Sequence, residues 1–110
     1  MNRSGKVFYG DAFAGIISED ENGYAFKYDI AYLASNNPRP ISLTLPLETG
    51  SFQNKVLFPF FDGLIPEGWL MAIAIQNWDI SPRDRMGLLL TVCRDCIGAV
   101  SVISENIEIL

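Results

Sequence analysis

Short strand-like runs separated by turn residues in the first quarter of the chain are the feature that most constrains the fold. Two mostly apolar runs, residues 6–9 and 12–17, flank the dipeptide Gly10-Asp11, which suits the tight turn of a β-hairpin. A second polar turn ends at Gly23, and residues 24–28 then alternate aromatic with small or charged side chains. Strands joined by such short turns pair antiparallel, so the pattern predicts a three-stranded meander.

The following segments predict one short helical turn, one more strand and a loop. Asp29 is placed to cap a helical turn that reaches Ala34. Residues 41–45 alternate cleanly and predict a fourth strand that ends at Pro46. Residues 47–54 are polar, contain a glycine and predict a loop.

The second half predicts helices and a closing strand. Prolines at first-turn positions predict helices over residues 59–62 and 66–78, and Ser81 predicts the N-cap of a third helix with an acid at its third position. Residues 97–103 predict the last strand. Strands first and helices next predict one α+β domain over residues 1–110: a small antiparallel sheet or partly open barrel packed with about three short helices.

The composition excludes several kinds of function. The 110-residue chain has no histidine, so histidine-dependent nucleophiles, metal sites and acid–base catalysis are excluded. Its net charge of −5 argues against direct binding to nucleic acid. The longest apolar run, residues 69–75, is far shorter than the roughly 20 residues of a membrane span, and no leader is visible, so we expect a cytoplasmic protein without membrane contact.

Cys93 and Cys96 form a C-x-x-C motif with two possible chemical meanings. Half of a zinc site would need two more ligands, and the chain has no further cysteine. A thioredoxin-like pair opens a helix after a strand, whereas this pair follows a helical stretch and precedes a strand. We therefore expect ordinary thiols and no metal or cofactor. An enzyme that uses the pair as a dithiol is the alternative.

Residues 69–75 contain no polar side chain, although a surface helix normally has a polar face. Such a helix is either buried on every side or in contact with another molecule. Trp69 follows Gly68 at the helix start, where it is well placed to project as an interface anchor, although it could also be a core residue. The predicted partner-binding residues are Pro66, Glu67, Gly68, Trp69, Met71 and Ile73.

Three ordered motifs resemble one protein family. They are NPRPISLTLPL at residues 37–47, FPFFDGLIPEG at 58–68 and RDCIGAV at 94–100. Together they resemble the N-terminal subdomain of HipA-type serine/threonine kinase toxins over most of the chain. In that family the catalytic residues belong to a kinase domain beyond this subdomain, so none of them maps onto this sequence and the resemblance implies that the chain is not an enzyme.

The resemblance implies an interaction protein of a toxin–antitoxin system. The chain is similar to the small, HipS-like third component of split HipBST-type systems, which acts as the antitoxin, and we favour a naturally separate protein over an engineered fragment. We therefore expect it to bind and inhibit a HipT/HipA-like kinase, with residues 66–69 as a wedge near the ATP-binding loop. The resemblance also implies a HipB-like DNA-binding partner reached through the complex. The alternative is a regulatory or dimerising subdomain without inhibitory action.

Overall fold

The computed structural model describes residues 2–65, 68, 81, 83–93 and 98–105. An open antiparallel sheet of five strands carries three short helices in this part of the chain, so the α+β prediction is confirmed and the sheet does not close into a barrel. In chain order the elements are β1 (Arg3–Tyr9), β2 (Ala12–Asp20), β3 (Gly23–Tyr28), α1 (Ile30–Leu33), β4 (Phe52–Asn54), α2 (Pro59–Asp62), α3 (Arg85–Val92) and β5 (Val100–Ser104). The strands follow the order β4-β3-β2-β1-β5 across the sheet.

The predicted meander of the first three strands is confirmed. β1 and β2 pair with Lys6 opposite Ile16, and β2 and β3 pair with Ile16 opposite Lys27. The β1–β2 turn contains Gly10 at a φ of 60°, a left-handed backbone conformation that glycine adopts without steric cost. Because side chains alternate between faces, Lys6, Ile16 and Lys27 share one face of the sheet, and the two lysines are exposed there.

The core lies on the other face of the sheet. Val7, Ile17 and Phe26 are fully buried there, and the Phe61 ring of α2 packs with its centroid 5.6 Å from that of Phe26. α3 covers the same face with the buried side chains of Met86, Leu88 and Leu89. Burial on one face only is typical of antiparallel sheets and produces the period-2 pattern in the sequence.

The prediction of a fourth strand over residues 41–45 is wrong. These residues form a turn with a single bridge between Ser42 and Leu45, and the fourth strand of the sheet is β4, which the sequence predicted as loop. The alternation at 41–45 reflects the burial of Ile41 and Leu45 around an exposed Leu43. Their backbone groups bond to the Tyr28 hydroxyl instead of a neighbouring strand.

Among the helix starts that the structure describes, one was predicted at the wrong residue. The Asp29 carboxylate accepts a hydrogen bond from the Tyr32 amide at 3.1 Å, as expected for the N-cap of α1. α3 begins at Arg85, later than predicted, because its N-cap is Asp84, whose carboxylate accepts from the Gly87 amide at 3.1 Å. Ser81 instead accepts from the Arg83 amide.

α2 and β5 lie where the sequence predicts a helix and a strand. α2 begins with Pro59 at its first position and is followed by Gly63, as predicted. β5 begins at Val100, inside the predicted closing strand, and pairs antiparallel with β1. The helix predicted over residues 66–78 lies outside the described residues, apart from Gly68.

Arg3 joins the sheet to the N-terminus of α3. Its guanidinium donates two hydrogen bonds of 2.8 Å to the Asp84 carboxylate and one of 2.7 Å to Glu19 Oε1. A methyl group at Gly87 would collide with the Asp84 carboxylate, so glycine leaves room for this contact. The hydrogen bonds from Arg3 are the largest cause holding the pKa of Asp84 below its usual value, against the opposing effect of burial.

Replacing Asp84 by Asn tests the charge in this contact, because an amide still caps the helix. The pair is partly exposed, so Asp84→Asn should lower the free energy of unfolding by about 0.5–1 kcal/mol at neutral pH. The depressed pKa means that this stabilisation is present above the ordinary Asp value of 3.8 and is lost as pH falls through the lower, folded-state pKa. Urea unfolding at pH 7 and pH 3 should therefore show a smaller acid-induced loss in the variant.

Asp11→Asn, in the exposed β1–β2 turn, is the matched control and should retain the acid-induced loss of the unmodified chain. An identical pH dependence of Asp84→Asn and the unmodified chain would contradict a folded-state role for the Asp84 charge.

Candidate interaction site

The predicted partner-binding residues lie almost entirely outside the described part of the chain. Gly68 is described, and it is exposed. A Cβ built on Gly68 would have no heavy atom within 4 Å, so the space around this residue is open. Pro66, Glu67, Trp69, Met71 and Ile73 lie outside the described residues, and their role stays a prediction.

The elements on both sides of residues 66–80 are joined by an ion pair. Asp62 ends α2, Arg85 begins α3, and the Arg85 Nε donates to Asp62 Oδ1 at 2.5 Å. Ile65, directly before the segment, is buried in the core. The Asp62 carboxylate thus has a structural partner, and the N-terminal attachment point of the segment is part of the packed domain.

Cys93 directly follows α3 and is not an accessible nucleophile. Its side chain is 0% exposed, and its thiol donates to the Leu64 carbonyl at 3.3 Å. A dithiol enzyme needs a sulfur that its substrate can reach, so the burial of Cys93 weighs against that alternative. Cys96 lies outside the described residues.

Within the described ranges, the structure offers neither a metal site nor a membrane span. Three or more Cys, Asp or Glu side chains do not come together there in a way that could hold a metal ion. No helix in this part of the chain has both the length and the apolar character needed to cross a bilayer.

The long loop of residues 34–51 is a second possible site, which the sequence patterns did not indicate. Tyr32 attaches its first part, because the hydroxyl donates to the Arg39 carbonyl at 2.6 Å and accepts from the Arg39 amide at 3.2 Å. Tyr28 attaches its second part, because its hydroxyl accepts from the Ile41 amide at 3.0 Å and donates to the Leu45 carbonyl. The two tyrosine rings stack with centroids 6.2 Å apart.

The buried Tyr28 hydroxyl gives the Ile41 amide and the Leu45 carbonyl the hydrogen-bond partners that a neighbouring strand would otherwise provide. Burial is the largest cause that raises the pKa of Tyr28, so the hydroxyl stays protonated and remains able to donate. The signal for this arrangement was present in the sequence as three prolines, Pro38, Pro40 and Pro46, because proline lacks the amide donor that a strand needs. Pro40 and Pro46 flank residues 41–45 directly, so they limit any strand there to these five residues.

Tyr28→Phe should lower the free energy of unfolding by about 1–3 kcal/mol, because it leaves the Ile41 amide and the Leu45 carbonyl without their buried partner. Chemical denaturation followed by tryptophan fluorescence measures the change. Tyr9→Phe is the matched control, because Tyr9 is half-buried and its hydroxyl bonds to none of the described residues. Equal stabilities of the two variants would contradict the anchoring role of Tyr28.

Comparison with known proteins places most of the chain in one family. A family model described as the HipA N-terminal domain matches residues 5–103. An uncharacterized protein of Haemophilus influenzae is 37% identical over 104 residues, which cover 94% of each chain. The Sinorhizobium fredii protein named "Putative kinase Y4mE" is 30% identical over 93% of this chain, but the match spans only 24% of that longer protein.

Solved structures agree with the fold described above. The structure titled as the N-terminal domain of HipA toxin superposes with a TM-score of 0.72 at 33% identity and covers 96% of this chain and 95% of its own. Shewanella oneidensis HipA, solved in complex with HipB and its operator DNA, superposes with a TM-score of 0.70. At 22% identity, and with 24% of its chain covered, this second structure supports the fold alone.

Proposed function

Because the chain belongs to the HipA N-terminal domain family, we propose that it is a non-catalytic interaction protein of a toxin–antitoxin system that binds and inhibits a HipA-like kinase. The main support is the length of its relatives. The match spans 94% of the Haemophilus protein but only 24% of the Sinorhizobium protein named as a kinase. The same domain therefore exists both as most of a small protein and as a minor part of a larger one.

The catalytic step belongs to the partner in this proposal. The match leaves most of Y4mE unaccounted for, so a kinase domain in such a protein would lie outside the region shared with this chain. The described residues support a non-catalytic role for this chain, since Cys93 is buried and the Asp62 and Asp84 carboxylates bind arginines. What the small protein contributes is then a binding surface.

We place that surface at residues 66–73. The residue directly before this surface, Ile65, is buried, and the Asp62–Arg85 ion pair joins the end of α2 to the start of α3. Gly68 has open space around it, as a residue at the surface of a wedge requires. Trp69 is the proposed anchor, since tryptophan is enriched among residues that dominate binding energy.

Inhibition would follow from holding the partner's ATP-binding loop in a non-productive position. Phosphoryl transfer depends on the positioning of phosphates and metal ions more than on covalent chemistry by the protein. A rigid wedge against that loop would therefore reduce activity without touching the catalytic residues. HipB and operator DNA accompany HipA in the Shewanella complex, and we propose that a HipB-like protein is reached only through the kinase.

The test is a phosphorylation assay with a purified HipA-like kinase that lacks an N-terminal domain of its own, taken from the same genome. Adding the chain at increasing concentration should reduce autophosphorylation to near zero once the partner is saturated. The runner-up function, a regulatory or dimerising subdomain without inhibitory action, predicts binding with unchanged or raised activity. Absence of any binding would contradict both functions.

Trp69→Ala should weaken binding to the kinase by about 2 kcal/mol, which is about thirtyfold in Kd, because it removes the proposed anchor. Titration in the same phosphorylation assay measures the loss of inhibition, and circular dichroism checks the fold. Trp78→Ala is the matched control, since Trp78 lies outside the proposed wedge. Full inhibition by folded Trp69→Ala would contradict the wedge.

A further inference from the structure

The outer face of the sheet, opposite the core, carries a group of apolar side chains. They are half-buried, and none of them packs against the core cluster: Phe8, Phe13, Ile16 and Ile103. The Phe8 and Phe13 rings lie beside each other with centroids 5.8 Å apart. The buried apolar side chains of the three described helices all belong to the core cluster on the other face. Apolar groups that lie together in this way stabilise the fold further when another segment covers them.

Two cations lie among these apolar side chains. Strand register places four side chains in one row across β5, β1, β2 and β3, in the order Ile103, Lys6, Ile16 and Lys27. Both lysines are exposed, and neither forms an ion pair with a described residue. Asp20, an acid at one end of this face, accepts a hydrogen bond from a turn amide at 2.8 Å and pairs with neither lysine.

We call the four apolar side chains and the two lysines the outer patch. A segment that complements it is apolar and carries a negative charge.

Glu105 shows where the chain leaves the sheet. Its amide donates to the Ser4 carbonyl at 2.9 Å, and its carboxylate accepts from the Ser4 hydroxyl at 2.7 Å. Ser4 lies two residues from Lys6 on β1, so the two side chains share the outer face. Residues 106–110 continue from this point, next to the outer patch, and lie outside the described residues.

The sequence of residues 106–110, Asn-Ile-Glu-Ile-Leu, matches what the outer patch requires. Asn106 is a residue type that favours turns, so it suits a reversal of direction after β5. Four extended residues then reach about 13 Å, whereas β2, which carries Ile16, lies two strand spacings or about 10 Å from β5. Side chains alternate in an extended segment, so Ile107 and Ile109 share one side and Glu108 lies on the other.

The other candidate occupants fit less well. Residues 69–80 follow α2 and precede α3, and both of these helices pack on the core face. Residues 94–97 join α3 to β5 and are committed to that connection. Two copies of the chain that met face to face through their outer patches would bring four lysines together, which electrostatic repulsion disfavours.

We propose that residues 106–110 fold back over the outer patch of their own chain. Ile107 and Ile109 cover its apolar side chains, and Glu108 lies between the ends of the Lys6 and Lys27 side chains, which extend past the segment. The outer face is then closed to other proteins in the free chain. This inference does not depend on the proposed function, because it concerns a contact within one chain.

The experiment couples carboxylates to lysines in the unmodified chain with a water-soluble carbodiimide and identifies the linked peptides by mass spectrometry. An amide link from Glu108 to Lys6 or Lys27 is the expected product. Lys55 is the matched control, because it is also exposed but follows β4 at the far edge of the sheet, and its link to Glu108 should be about tenfold weaker or less. Glu108→Gln should abolish the link.

A second measurement tests the apolar part of the contact. The double variant Ile107→Asp, Ile109→Asp should raise the fluorescence of the dye anilinonaphthalene sulfonate about twofold or more, because it uncovers the outer patch. Ile30→Asp is the matched control, since Ile30 is 71% exposed on α1, away from the patch, and its variant should leave the fluorescence unchanged. Circular dichroism checks the fold of each variant.

Mixing chains labelled with nitrogen-15 and unlabelled chains before coupling separates links within one chain from links between two. Links found only between labelled and unlabelled chains would make a second copy the occupant and overturn the proposal. No link to Lys6 or Lys27, or an equal link to Lys55, would also overturn it. Unchanged dye fluorescence in the folded double variant would contradict the cover. None of these results bears on kinase inhibition, so this inference and the proposed function fail separately.

Discussion

Burial of one face of an open sheet is the constraint on which the rest of this structure depends. Each large apolar side chain placed in that layer contributes roughly 1.5–3 kcal/mol, whereas a partly exposed ion pair such as Arg3–Asp84 contributes about 1 kcal/mol or less. Packing of α2 and α3 on the sheet therefore supplies most of the stability. The ion pairs have a different role: Arg3–Asp84 joins the start of α3 to the sheet, and Arg85–Asp62 joins it to the end of α2.

Tyr28 links the buried layer to the loop that follows it. Its ring packs edge-on against Phe26 in the core, with centroids 4.9 Å apart, and its hydroxyl bonds the backbone of Ile41 and Leu45. One side chain thus satisfies two backbone groups of a segment that does not pair as a regular strand. The consequence is an ordered loop that presents a leucine to solvent without a strand beneath it.

The functional proposal follows from what the domain offers and what its relatives contain. Its Asp62 and Asp84 carboxylates and its buried Cys93 thiol form hydrogen bonds within the domain, and its longer relatives extend far beyond the shared domain. We therefore propose that the protein acts through its surface. The described structure places the buried Ile65 directly before residues 66–73 and leaves open space around Gly68.

Local sequence patterns determined the antiparallel meander, the N-cap of α1, the start of α2 and the family motifs, because each depends on residues close in the chain. They also indicated residues 66–73 as the candidate site, of which the structure describes Gly68. Tertiary structure decided the rest. The Ser42–Leu45 turn needs the Tyr28 hydroxyl, β4 needs its partner β3, and Arg3 meets Asp84 from 81 positions away. Such contacts form only when distant segments pack together, so alternation and capping signals alone misplaced the fourth strand and the start of α3.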